Sequence, residues 1–182
     1  MKTAKLLLVL SIVSVFCTGC LSTAFREGKG AAMGASGIDV QLQGSPNLEE
    51  YSNFEVGSFI DGMLNKTPGK LLKIMPGLVK SEMANYTIPM NRGGKTVVIT
   101  GVVIHYDVAS DAISTVFGPF EEAVVRVMLT DKATSRIIGT ANCIGRSNAN
   151  TNKGLEQKAR GVGKAIVKWI GKHRKIQKIE DK

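Results

Sequence analysis

Few side chains in this sequence have the types and spacing that catalysis requires. The two histidines, His105 and His173, stand apart from any serine or cysteine arrangement that activates a nucleophile. The G-K-T sequence that begins at Gly94 matches the end of a phosphate-binding loop. However, Pro89 occupies the position where that loop needs glycine, and a strand is predicted to follow instead of a helix. The sequence therefore predicts a protein that is not an enzyme, and no cofactor is expected.

Metal binding is not predicted either. The chain has 2 histidines and 3 cysteines, and none of them stands at ligand spacing beside a carboxylate cluster. The adjacent pairs Glu49–Glu50 and Glu121–Glu122 do not make acid–base pairs, because neighbours on a strand point to opposite faces. Cys143 alternates with small residues and is predicted to be a buried, unreactive thiol.

A stripe of cations is the clearest candidate for binding. Its members, which recur near the C-terminus at the spacing of one helix face, are Lys153, Arg160, Lys164 and Lys168. The formal net charge of +9 suits contact with anionic lipid or an acidic polymer, although a solvated surface has the same pattern. Basic residues do not interleave with aromatic ones, so nucleic acid is not an expected partner.

A second candidate is the turn over residues 116–120, which contains Phe117 and Phe120. Aromatic side chains at a turn either dock a partner or cover one end of the core, and the sequence leaves both open.

The elements that must position these residues follow from hydrophobic periodicity. A final helix is predicted over 154–172, because apolar residues recur every three or four positions as Leu155, Ala159, Val162, Ile166 and Trp169. Its glycines are expected to permit a close approach to a sheet. The strongest strand is predicted over 95–106, and its β-branched residues favour a central place in that sheet.

The remaining elements complete an α+β order of β-α-β-β-β-α. A first strand is predicted over 54–60, and a helix starts at Pro76 and runs to about Asn85. Residues 121–130 and 136–146 are predicted to pair as a hairpin around a turn at 131–135. The expected architecture is a two-layer domain over 49–172, with a mostly antiparallel sheet of about four strands and two helices, followed by a basic tail over 173–182.

The N-terminus has the three zones of a secretory signal over residues 1–19. Two lysines precede an apolar stretch that is too short to span a bilayer, and small residues end it. Residues 17–20, Cys-Thr-Gly-Cys, resemble a lipobox, although an aliphatic residue is usual at Cys17. The resemblance implies lipid attachment at Cys20. Cleavage after Ala24 is the alternative, but it leaves the position of Cys20 unexplained.

Residues 97–103 and 124–131, together with the final helix, resemble a bacterial lipoprotein family known only as a domain of unknown function. Its turn usually has glycine where this chain has Ser135. The resemblance covers about residues 50–171 and implies an envelope context and a two-layer fold.

The leading hypothesis is a non-catalytic accessory or binding module of the cell envelope. Residues 20–48 are expected to be the anchor and a flexible tether. Leu21 does not match the aspartate that retains such proteins at the inner membrane, so the outer membrane, facing the periplasm, is the expected location. Expected partners are membrane lipid through Cys20 and an envelope protein or cell-wall polymer. The alternative is a periplasmic enzyme with a site assembled around His105.

Overall fold

A computed structural model describes residues 35–107, 120–148 and 154–179; the side chains of 120, 121 and 148 are not part of that description. After a first strand comes a short 3-10 helix over Leu48–Glu50. The strands are β1 (Ser36–Gln43), β2 (Asn53–Asp61), β3 (Thr96–Asp107), β4 (Phe120–Asp131) and β5 (Ile137–Asn148), and the helices are α1 (Gly69–Ala84) and α2 (Gly154–His173).

The strands form one sheet in the order β1-β5-β4-β3-β2. The β2–β3 pair is parallel, because α1 crosses over between these strands, and the other three pairs are antiparallel. The two helices pack side by side over the sheet, where Gly163 of α2 lies against Val79 and Glu82 of α1. The α+β class, the two helices and the mostly antiparallel sheet are confirmed. Among the described residues the sheet has five strands instead of about four, and one of its pairs is parallel.

The fifth strand is β1, which lies in the segment that the sequence analysis assigned to the tether. Its residues pair with β5 from Ser36, opposite Arg146, to Gln43, opposite Thr140. The folded domain therefore begins well before Glu49. The strand was missed because its side facing α2 carries Gly37 and Asp39, so no apolar residue marks that side as buried.

The first helix was also placed wrongly at its start. Helix α1 begins at Gly69, and Pro76 lies inside it and not at its first turn. The apolar stripe of the helix settles its length, since Leu71, Met75, Val79 and Met83 recur every four residues and are fully buried. This burial outweighs the missing backbone N–H of the proline, which costs about 3 kcal/mol in a helix interior.

The stripe predicted for α2 is confirmed. Ala159, Val162, Ile166 and Trp169 are fully buried against the sheet, and Leu155 is partly buried. The expected close approach is also found at Gly161. A Cβ on this residue would overlap the Ser36 carbonyl oxygen and lie 2.8 Å from the Gly145 Cα. Glycine is therefore required where α2 crosses β1 and β5.

The β4–β5 hairpin is confirmed, and Asp131 organises its turn. One carboxylate oxygen of Asp131 accepts hydrogen bonds from the backbone N–H groups of Ala133 (3.0 Å) and Thr134 (2.9 Å), and the other accepts from the Tyr51 hydroxyl (2.9 Å). The Thr134 N–H and the Tyr51 hydroxyl hold the pKa of Asp131 below its usual value. Ser135 has a φ of 56°, the left-handed conformation that glycine adopts most readily.

The segment after α2 is tied to the domain over the residues that the structure describes. Arg174 Nη1 donates to the carbonyl oxygens of Leu48 (2.8 Å) and Tyr51 (2.6 Å). Further along, the Thr87 N–H donates to the Gln177 carbonyl oxygen (2.8 Å). Residues 174–179 therefore do not behave as the separate tail that the sequence analysis expected.

Candidate binding site

The predicted basic stripe lies beside β1 and α1. Arg160 forms ion pairs with Glu156 (3.1 Å) and with the buried Glu82 of α1 (3.6 Å). Lys164 Nζ donates to the Ala35 carbonyl oxygen (2.9 Å), just before β1 begins. Three of the four predicted cations thus share one side of α2, while Lys153 lies outside the described residues.

The third of these, Lys168, belongs to an ion-pair cluster around Asp39 of β1. The Asp39 side chain is fully buried, and its carboxylate contacts Lys172 Nζ and lies 3.8 Å from Lys168 Nζ. A buried carboxylate requires such compensation. The Lys168 side chain is nevertheless 60% exposed, so its ammonium group remains open to a ligand.

Two stripe residues line a groove of about 700 Å³ between α1, α2 and the first residues of β1. Its cations are Lys164, Lys168 and Lys178, and its apolar wall includes Val167 and Ile176. We call this feature the basic groove. Lys178 reaches it because the chain after α2 turns back to form an isolated bridge with Tyr86.

The charge of the basic groove suits an anion. Three lysines line it, and the Glu82 carboxylate, which also lines it, is buried and paired with Arg160. Lysine ammonium groups on flexible stems bind phosphate or carboxylate groups as point charges and without strict geometry. The groove can therefore hold an acidic polymer or a headgroup, and it contains no arrangement of a nucleophile beside a base.

A larger groove, of about 800 Å³, runs along residues 49–52 and 86–93. Its charges are mixed, with Glu49 and Glu50 facing Arg92 and Arg174. Glu50 already pairs with Lys95 (2.5 Å), and Arg174 holds backbone carbonyl groups. This groove has weaker electrostatic selectivity than the basic groove.

The enzymatic alternative depended on His105. This residue is exposed near the end of β3, at an irregularity where it pairs with Val124. It lines none of the grooves found among the described residues. Within residues 35–107, 120–148 and 154–179, no group of three metal-ligating side chains is found.

Cys143 is a free thiol and is fully buried on β5. Burial raises its pKa, which keeps the thiol protonated and unreactive at neutral pH. This geometry agrees with the interpretation of Cys143 as a small core residue.

The predicted anchor and aromatic turn fall largely outside the described residues. Cys20 and Phe117 lie outside the described residues, and Phe120 is the first residue of β4 with an undescribed side chain. The anchor and the aromatic turn therefore stay predictions. Over the part of the chain that is described, none of the helices has the length and apolar character needed to cross a membrane.

Sequence reasoning missed three polar residues that the fold places near the basic groove or in the core. Asp39 and Lys178 reach the vicinity of the basic groove through tertiary contacts, and no local pattern marks them. Lys158 is fully buried on α2, where its Nζ donates to the Tyr106 hydroxyl (3.1 Å) and lies 4.3 Å from the ring centroid. Its position next to Ala159 in the apolar stripe was the available signal.

No protein-family model and no curated protein matches the sequence. Solved structures resemble it in fold. A PelC dodecamer from Paraburkholderia phytofirmans is 13% identical, with 73% of this chain and 96% of that chain covered and a TM-score of 0.47. A DUF330 protein from Xanthomonas campestris is 10% identical, with 71% and 91% covered and a TM-score of 0.45.

A minor lipoprotein from Acinetobacter baumannii is 12% identical, with 71% of this chain and 98% of that chain covered and a TM-score of 0.43. At these identities and TM-scores the likeness is one of fold, and nothing about function is taken from it.

Proposed function

We propose that this protein is a non-catalytic accessory module of the bacterial cell envelope that binds an anionic polymer in the basic groove. The observation that carries the proposal is the convergence of Lys164, Lys168 and Lys178 on one groove from two separate parts of the chain. If the stripe on α2 were only a solvated surface, there would be no reason for the segment after the helix to add a third lysine to it.

The proposed location follows from the N-terminal sequence. Lipid on Cys20, with Leu21 after it, would hold the domain at the outer membrane on its periplasmic side. There the groove would lie close to anionic headgroups and to the acidic peptides of the cell wall. Each basic residue near such a surface contributes about 1 kcal/mol, and the attraction falls off over roughly 10 Å at 0.1 M salt.

Sedimentation with purified cell-wall sacculi tests the groove. The full chain is kept in detergent, and the triple variant Lys164→Gln, Lys168→Gln, Lys178→Gln is compared with wild type. Three lost contacts predict roughly 100-fold weaker binding at low salt. A matched control removes three exposed lysines from α1 (Lys70→Gln, Lys73→Gln, Lys80→Gln) and should bind as wild type does, although its net charge falls equally.

Equal binding by all three proteins would reduce the groove to a solvated surface. Equal loss in both variants would show that only net charge matters, which also contradicts the proposal.

The anchor is tested separately: Cys20→Ala should move the protein from the membrane fraction to the soluble periplasm or leave it unprocessed. A Cys20→Ala protein that is cleaved normally and stays on the membrane would contradict lipid anchoring.

A further inference from the structure

The sheet has a second face, which points away from α1 and α2, and we call it the outer face. Its side chains stand in rows because directly paired residues share a face. The central row crosses all five strands and consists of Val40, Asn142, Arg126, Val102 and Ile60. No element of the described chain packs on this row, and its two ends, Val40 and Ile60, are 47% and 54% exposed.

The outer face is more apolar than a solvated sheet face. An open antiparallel sheet usually alternates between apolar residues inside and polar residues outside. Here about half of the residues of the outer face are aliphatic, and its polar residues include threonines, the two arginines, Glu55, His105, Glu122 and Asn142. The aliphatic members outside the central row are Ile38, Leu42, Val98, Ile104, Val124, Met128, Ile137 and Ile144.

Strand β1 shows most clearly that the usual alternation is reversed, with polar residues inside and apolar residues outside. Asp39, which faces α2, is buried and ion-paired, while Ile38, Val40 and Leu42 face outward. Val40 and Leu42 are each almost half exposed. The apolar residues of this edge strand thus contribute little to the core, and their exposure needs another explanation.

One uncompensated charge stands at the centre of the outer face. Arg126 lies on β4, the middle strand, and its side chain is exposed. Among the described residues no carboxylate pairs with it. The other arginine of this face, Arg146, is paired with Glu122 (2.6 Å).

The charge and the size of the face decide which occupant it fits. A second copy docked symmetrically on the sheet centre would bring the two Arg126 side chains together, and like charges at an interface cost several kcal/mol. Five strands about 4.8 Å apart that overlap for about six residues present roughly 500 Å². A footprint of this size suits a single segment of a partner.

We propose that the outer face docks an amphipathic segment of another envelope protein, whose apolar side chains surround one carboxylate that pairs with Arg126. On one side of Arg126 the next row is aliphatic (Ile38, Ile144 and Val124), and on the other side Met128 lies between Thr100 and Thr140. A largely apolar surface around one unpaired cation matches an apolar segment with a single anion. Because the contact excludes water around the pair of Arg126 and the carboxylate, this pair contributes to specificity for the partner as well as to affinity. This surface is separate from the basic groove, and the two proposals stand independently.

Photo-crosslinking in intact native cells tests the proposal on the full lipidated chain. A photoreactive amino acid replaces Val40 or Ile60, and a control replaces Lys80, which is exposed on α1. The two outer-face positions should give the same protein adduct, and the control should not. Arg126→Glu should lower the adduct yield by about tenfold or more, whereas Arg126→Lys should retain most of it.

The mapped adduct should contain an apolar segment with an Asp or Glu, and changing that residue to Arg should restore crosslinking to the Arg126→Glu protein. Equal melting temperatures and equal membrane levels of the variants exclude misfolding, and Arg126→Gln serves if Arg126→Glu does not fold. An adduct between two copies of this chain would overturn the proposal, as would adducts to lipid alone. Yields at the level of the Lys80 control, or yields unaffected by Arg126→Glu, would also overturn it. Sacculus binding should be unchanged in the Arg126 variants, which separates this test from that of the groove.

Discussion

The two faces of the sheet are built from similar residues but lie in different surroundings. On β3, Val97, Ile99 and Val103 point toward the helices and are fully buried. Their neighbours Val98 and Val102 point the other way and remain partly exposed. The residue types scarcely differ, so composition does not distinguish the face that holds the fold together from the face that is open to a partner.

The difference lies in what each face packs against. The inner face is covered by helices whose backbones approach it closely, and it includes small residues such as Gly145 and Ala141 to admit them. The outer face has no such small residues in its central row, and Arg126 stands at its centre. We infer that the inner face provides stability and the outer face recognition, and the predictions below separate these two roles.

The largest effect is expected at Trp169, the largest fully buried side chain on the inner side. Trp169→Ala should lower the free energy of unfolding by about 3–5 kcal/mol, because the lost apolar surface leaves a cavity against Gly139. Urea denaturation followed by circular dichroism measures it, since the chain has 1 tryptophan and the variant loses its fluorescence.

The matched substitution on the other face is Val102→Ala. It should lower the free energy of unfolding by about 1 kcal/mol or less, because the side chain is already partly in water. Equal losses in the two variants would mean that the outer face is also part of the core, and the distinction between the faces would then fail.

Much of this fold was predictable from local patterns. The apolar stripe of α2, the β-branched run of β3 and the turn at residues 131–135 each carry their signal within a few residues. Strand β1 was not recognised, although Ile38, Val40 and Leu42 alternate correctly, because a Gly/Ala-rich segment precedes it and its inward residues are polar. The start of α1 was misplaced because Pro76 is a good first-turn residue, and only tertiary packing shows it to be interior.

The candidate site was also predictable only where a local sequence pattern marks its residues. Helical spacing placed Arg160, Lys164 and Lys168 on one side of α2, as the structure has them. Asp39 lies about 120 residues before Arg160, and Lys178 lies about ten residues after Lys168, so only the folded chain brings them to the stripe. Local periodicity identifies one wall of a groove, and the opposite wall depends on contacts that are distant in sequence.

A smaller effect is expected where α2 meets the sheet. Gly161→Ala should destabilise the protein by about 1–3 kcal/mol, because the new Cβ overlaps the Ser36 carbonyl oxygen and the Gly145 Cα. Gly77→Ala is the control: it lies in α1 with nothing within 4 Å of the added Cβ, and it should stabilise by about 0.5–1 kcal/mol.

Thermal unfolding of the two glycine variants should therefore move the melting temperature in opposite directions. If Gly161→Ala were neutral or stabilising, the helix would not sit directly on β1 and β5. In that case the covered and open faces would differ less in packing than the structure indicates.

The smallest effect concerns the polar end of the inner face, where Asp131 accepts hydrogen bonds from Thr134 and Tyr51. Because these bonds lower the pKa of Asp131 in the folded state, its contribution to stability is complete above the unfolded pKa of about 4 and is lost as the pH falls through the folded pKa. Asp131→Asn should therefore be less stable than wild type at pH 7, and the difference should shrink as the solution is acidified toward pH 2–3. Tyr51→Phe removes only one of the donors and should raise the pKa of Asp131 part of the way, as carboxyl NMR titration would measure. A constant difference between wild type and Asp131→Asn across the acid range would contradict the assignment, because it would mean that the turn holds the charged and neutral carboxyl equally well.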